Sequence, residues 1–315
     1  YAFKQSETSA DTAVASTGWE TFLEAVIAAG FSIGGTWPVR TELESRSVAI
    51  GTNALASSIV LVCRQRDAKA VTATRREFVT SLSAELPSAI AHLQRGNIAP
   101  VDLAQAAIGP GMAIYTRYAA VLDAEGRSLS VREALALINH TLDEALAQQE
   151  GDFDVDSRWA LAWFDQHGFD EGPYGVAETL SKAKNTSVSG LVDAGILVSR
   201  AGKVRLLAPD ELPSVWDPEE DRRVDIWEML HHLIRVLENA GETSAAQLLA
   251  KYGSKADVVR ELAYRLYTTC ERRKRAKEAG SYNALVQSWP EIARLAKKGP
   301  APAAPKQSTG LFDQE

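Results

Sequence analysis

The chain has 315 residues, of which 45% are hydrophobic and 24% charged, and a formal net charge of −7. This is the composition of an ordinary globular chain with room for two or three domains at about 100–200 residues each. It excludes a wholly basic nucleic-acid coat protein, and no apolar run approaches the ~20 residues of a membrane helix.

The first residues, "YAFKQS", alternate apolar and polar like a strand end opening into a loop. A chain that starts in mid-strand is expected to be a piece of something longer. "GWETFLEAVIAAGF" follows, with Trp19, Phe22, Leu23, Val26 and Ile27 at helical spacing and Gly30 as a C-cap. "FSIGGTWPVR" (31–40) reads as a strand that stops at Pro38, and Ile59 to Cys63 as a second strand, antiparallel to it. Three strands and one helix cannot cover both faces of a sheet, so residues 1–66 read as the closing edge of a larger one.

From Arg75 the period changes to that of helices. Phe78, Leu82, Leu86, Ile90 and Leu93 form one stripe; Ala134, Leu137, Ile138, Leu142 and Leu146 form another, with Ser130 and Glu133 as a capping box. Gly109-Pro110-Gly111 reads as a loop rather than a nucleotide fingerprint, because no strand precedes it. Residues 157–207 give two short helices and a third over Val188 to Ala194. Thr186 or Ser187 caps that third helix and Gly195 ends it; a hairpin then turns at Ala201-Gly202, the layout of a winged helix. Residues 208–296 are helical, and the Pro/Ala-rich tail 297–315 is expected to be disordered. The units are therefore 1–66, 67–156, 157–207, 208–296 and 297–315.

Catalytic motifs are missing: the sequence has no P-loop, H-E-x-x-H, G-x-S-x-G or C-x-x-C. Cys63 and Cys270 form no disulfide framework, and the start has no signal-peptide pattern, so the expected compartment is the cytoplasm. His92, His140, His167, His231 and His232 are expected on helix surfaces or at interfaces, without a metal. Trp159, Trp163, Trp216, Trp227 and Trp289 read as core. Trp37-Pro38 lies at a strand end, where an α/β sheet places its ligand crevice, with core packing as the competing reading.

Charge is distributed unevenly. Residues 140–180 carry ten acids against Arg158, a net of −9. Residues 181–205 carry Lys182, Lys184, Arg200, Lys203 and Arg205 against Asp193, a net of +4. With Asn185 and Thr186 at a helix start, these residues are the candidate nucleic-acid contacts of a winged helix. A second basic run, Arg272 to Arg275 with Lys277, extends a long helix.

The segments "YAFKQSE", "GWETFLEAVIAAGFSIGGTWPVRTE" and "GTNALASSIVLVCR" resemble the closing strands of the large prokaryotic adenine-specific DNA methyltransferases that carry an N-terminal domain of unknown function and a zinc ribbon. The resemblance continues through "NIAPVDLAQAAIGPGMAIYTRYAAVL", "GPYGVAETLSKAKNTSVSGLVDAGIL" and "AYRLYTTCERR", covering the chain to about Trp289. It implies a mixed fold: the C-terminal edge of an α/β Rossmann-like methyltransferase sheet, then a mainly α-helical region with a winged-helix-like unit. It also implies methyl transfer from S-adenosylmethionine to a flipped-out adenine, catalysed mainly by positioning. This chain departs from the family where the chemistry lies. It has no Asx-Pro-Pro-aromatic motif, no Phe-x-Gly-x-Gly cofactor loop and no zinc ribbon.

The expectation is therefore a C-terminal portion with no catalytic, cofactor-binding or metal residue of its own. Phe3, Lys4, Gln5, Trp37, Pro38 and Arg40 would stand at the active-site rim of the intact enzyme. The expected partners are double-stranded DNA and the missing N-terminal catalytic portion, in cis or as a separate chain, with no membrane. A non-enzymatic DNA-binding or scaffold subunit of a split modification or anti-phage defence system is the alternative.

Overall fold

The structure, a computed structural model, describes residues 17–40, 57–148 and 153–298. Helix α1 (Thr17–Ala28) buries Trp19 and Leu23 and ends at Gly30, whose φ of +86° a side chain would resist. Strand β1 (Phe31–Arg40) then pairs antiparallel with β2 (Ser57–Gln65), with a bulge between Ile33 and Gly35. The expected stop at Pro38 is a miss: β1 runs on to Arg40 and Pro38 sits opposite Ile59. A two-stranded sheet leaves one edge of each strand open, so a proline without an N–H is tolerated there. The strand expected at residues 1–5 and the tail from 299 onward lie outside the described residues; Lys297 and Lys298 belong to a helix.

Short parallel strands β3 (Ala73–Thr74) and β4 (Val121–Leu122) bracket two long helices. Helix α2 (Arg75–Arg95) opens on a capping box between Thr74 and Glu77 and buries the expected stripe of Phe78, Leu82, Leu86 and Ile90. Helix α3 (Pro100–Thr116) contains Gly109-Pro110-Gly111, so the loop expected there is corrected. Pro110 removes the hydrogen bond that its N–H would give to Ala106, but the Thr36 hydroxyl of β1 donates to that same carbonyl at 2.7 Å. The two glycines let neighbours come close. A Cβ on Gly109 would stand 2.3 Å from the Thr36 nitrogen, and one on Gly111 2.6 Å from the Ile138 side chain. Ile138 lies on α4 (Val131–Gln148), capped by Ser130 and Glu133 as expected.

Helix α5 (Val155–His167) starts the next unit. Strand β5 (Gly172–Pro173), helices α6 (Tyr174–Lys184) and α7 (Val188–Asp193), and strands β6 (Leu197–Arg200) and β7 (Lys203–Leu206) complete it. The strands order β5–β7–β6, all antiparallel, and the hairpin turns at Ala201 and Gly202, both with positive φ. Helices α8 (Ile226–Ala250), α9 (Ala256–Arg273) and α10 (Ala276–Lys298) close the chain; α8 breaks at Gly241, whose φ is +75°. One continuous hydrophobic core runs from Trp19 to Ile292. No described helix is long and apolar enough to cross a membrane.

Candidate nucleic-acid interface

Two helix starts fix the unit in place. Asp154 accepts from the Ser157 amide at 2.8 Å to cap α5, and its second oxygen accepts from the Ile226 amide of α8 at 2.9 Å. Ser157 Oγ in turn accepts from the Trp227 amide at 2.8 Å. The start of α5 therefore caps its own helix and also satisfies the first amides of α8, whose own N-cap is Asp225. One residue on, Asp156 accepts from Thr186 Oγ1 at 2.6 Å and from both Arg223 nitrogens at 2.9 and 2.6 Å. This anchors the turn between α6 and α7. Ser187 caps α7, and Asn185 takes the left-handed conformation that lets α6 end and the chain turn.

The candidate cations are brought onto this turn and the hairpin, but most are already paired. Lys182 bonds Glu178 at 3.2 Å, Lys203 bonds Glu171 at 2.8 Å, and Arg205 grips Glu211 with both nitrogens at 2.5 and 2.6 Å. Glu171, through its bond from Lys203, titrates below its ordinary range. Of the five cations, Lys184 and Arg200 have no acidic partner among the described residues. Thr186 faces inward to Asp156, so it is an anchor; Asn185 is exposed. The net charge read along the sequence thus overstates what a polyanion would meet.

The rim residues divide. Phe3, Lys4 and Gln5 lie outside the described residues, and Arg40 ends β1. Trp37 is 65% exposed opposite Val60, on the sheet face turned away from α3, so it is neither core nor pocket. The other five expected core tryptophans are buried or nearly so.

His231 and His232 correct the surface expectation. Both are buried, because the first turns of α8 are enclosed on every side. His231 Nδ1 lies 2.7 Å from the Trp227 carbonyl and Nε2 3.0 Å from the Tyr282 hydroxyl, a pair that a neutral ring satisfies. Burial lowers both imidazoles to about 4. Beside them, burial and then the charges of Asp225 and Asp221 raise Glu228 to about 9. At neutral pH the His232 and Glu228 side chains, 3.9 Å apart, are therefore uncharged neighbours rather than an ion pair. No hydrophobic period signals this buried polar group, and sequence reasoning missed it. Among the described residues no three His, Cys, Asp or Glu side chains are grouped to hold a metal.

The family model for a domain of unknown function (DUF8807) matches residues 154–310. The match begins at Asp154, the residue that caps both α5 and α8. No curated protein and no solved structure matches the chain.

Proposed function

We propose that this chain is the DNA-engaging C-terminal part of an S-adenosylmethionine-dependent DNA adenine methyltransferase, with residues 157–207 acting as a winged helix. The observation that carries the DNA reading is the order helix, strand, helix, turn, helix, hairpin, with β5 added to the hairpin in the order β5–β7–β6. That arrangement exposes the α6–α7 turn and the hairpin tip as separate contacts for a duplex. The methyltransferase part rests on the sequence resemblance alone. The described residues do not fit the cofactor: no strand leads through a glycine-rich turn into a helix start, so no step is assigned to it here. The chain's own work would be to hold phosphates and orient the duplex for a catalytic portion elsewhere. A non-enzymatic DNA-binding subunit of a split modification system is the second reading, favoured by the same absence of chemistry.

The pairing of the cations makes the test specific. Lys184→Ala with Arg200→Ala should reduce the slope of log affinity against log salt by about 2, near 0.9 per phosphate contact. Lys203→Ala should change it little, because Glu171 already neutralises that charge. A double variant with the wild-type slope refutes the winged-helix contact. Co-expression with a catalytic portion bearing the Pro-Pro-aromatic motif, followed by an adenine-methylation assay, tests the enzyme reading; unmodified DNA favours the scaffold.

A further inference from the structure

A basic groove lies outside the turn and hairpin of the 157–207 unit. Leu161 and Asp165 of α5 face Arg265, Thr269, Arg272 and Arg273 of α9 across a groove of about 520 Å³. The spacing explains the assembly: positions 265, 269, 272 and 273 fall on one stripe of a helix, as do 161 and 165. Arg272 and Arg273 thus stand beside the Asp165 carboxylate at the end of α9. Asp165 takes a two-pronged bond from Arg273, at 3.2 and 2.6 Å, and Arg272 is exposed without an acidic partner among the described residues. The Asp165 carboxyl titrates below its usual range, first through that bond, then through the charges of Arg273, Arg272 and Arg275.

We propose that this groove binds the phosphodiester backbone of duplex nucleic acid, as a second contact beside the hairpin. This rests on the reading of the chain as DNA-engaging. Planar guanidinium forks match phosphate oxygens two at a time. No aromatic side chain lines the groove, so it offers no platform for a base and reads phosphate without sequence. The groove also adjoins the hairpin. Arg275 donates to the Phe164 carbonyl at the end of α5, and a Cβ on Gly168 would stand 3.1 Å from its guanidinium carbon. Glu171, which holds Lys203 of the hairpin, follows three residues later, no more than about 11 Å along the chain. The basic end of α9 and the hairpin therefore both lie close to α5's C-terminus, within the span of one short duplex.

The test is binding of the full chain to a short labelled DNA duplex across a salt series. Arg272→Gln with Arg273→Gln should lower the salt slope by about 1, the contact of Arg272, because Asp165 already neutralises Arg273. Asp165→Asn, which removes a negative charge without changing volume, should bind several-fold more tightly; a structural role for Asp165 would not give that gain. An unchanged slope in the arginine variant, or an Asp165→Asn chain that binds no better, overturns the proposal. If the arginine variant fails to fold, Asp165→Asn still decides. Saturable binding of inorganic pyrophosphate that duplex DNA does not displace makes the groove a small-anion site and overturns it too. The Lys184/Arg200 variant separates the two readings. If only the groove variants respond, the groove stands and the winged-helix contact falls; if only the turn and hairpin respond, the groove falls. A chain that binds no duplex at low salt refutes both.

Discussion

Ser157 shows how much one hydroxyl can hold. It donates to Asp154 Oδ2 at 2.8 Å while accepting from the Trp227 amide, and it is fully buried. Ser157→Ala leaves a buried N–H without a partner, so it should lower stability by about 1–3 kcal/mol in a denaturant titration. Glu228, His231 and His232 set a pH dependence at the same scale. Glu228 is raised in the folded chain, from 4.5 to about 9, so its contribution is complete below 4.5 and is lost as pH rises toward 9. The two histidines are lowered from 6.5 to about 4, so their contribution is complete above 6.5 and is lost as pH falls toward 4. Above pH 6.5 the histidines no longer change, and the fall is set by Glu228 together with Asp225, whose carboxyl burial also raises. The melting temperature of the wild type should therefore fall between pH 6.5 and 9, and Glu228→Gln should flatten that fall. Parallel falls in both proteins would show that Glu228 is not the group responsible.

Helix α3 is an element that its sequence disguises. Gly-Pro-Gly reads as a break because each residue disfavours a helix on local grounds. The helix survives through its neighbours: Thr36 supplies the missing donor, and the bare glycine surfaces admit β1 and Ile138. Such compensation is a tertiary fact, absent from local pattern. By contrast, α2 and α4 were legible, since a stripe of period 3.6 and a Ser/Thr–Glu capping pair are local signals that the core only reinforces. The hairpin was legible for the same reason, its Ala201-Gly202 turn being written in the chain. The ion pairs that quiet Lys203 and Arg205 were not, because Glu171 and Glu211 reach them across loops. Gly109→Ala should cost about 1–3 kcal/mol, since its Cβ meets the backbone of β1 and neither partner can yield easily. Gly111→Ala should cost a similar amount, because its Cβ would stand 2.6–2.8 Å from three atoms of Ile138, a β-branched side chain fully buried in the core. Little or no loss in urea unfolding for either variant would contradict this account.

At the scale of the whole molecule, a cluster of charge and a patch of apolar surface lie on different elements. Arginines gather at the end of α9, whereas the β1–β2 pair exposes Trp37, Val39 and Val60. On the proposed reading, that apolar face is where a catalytic portion would rest, and the isolated chain should not bind S-adenosylmethionine. Calorimetric titration checks this, and saturable micromolar binding would place a cofactor site within these residues.

The shared cap of α5 and α8 has one more consequence, for how the chain can be cut. Asp154 and Ser157 cap the starts of two helices that lie about seventy residues apart in sequence, so the start of α5 cannot be trimmed without uncapping α8. A fragment beginning at Asp154 keeps both closures. One beginning at Arg158, only four residues shorter, strands the Ile226 and Trp227 amides in the interior. Expressed side by side, the longer piece should melt cooperatively at the higher temperature. The boundary of an excisable unit would then be set by a carboxylate and a hydroxyl rather than by the loop that happens to precede them.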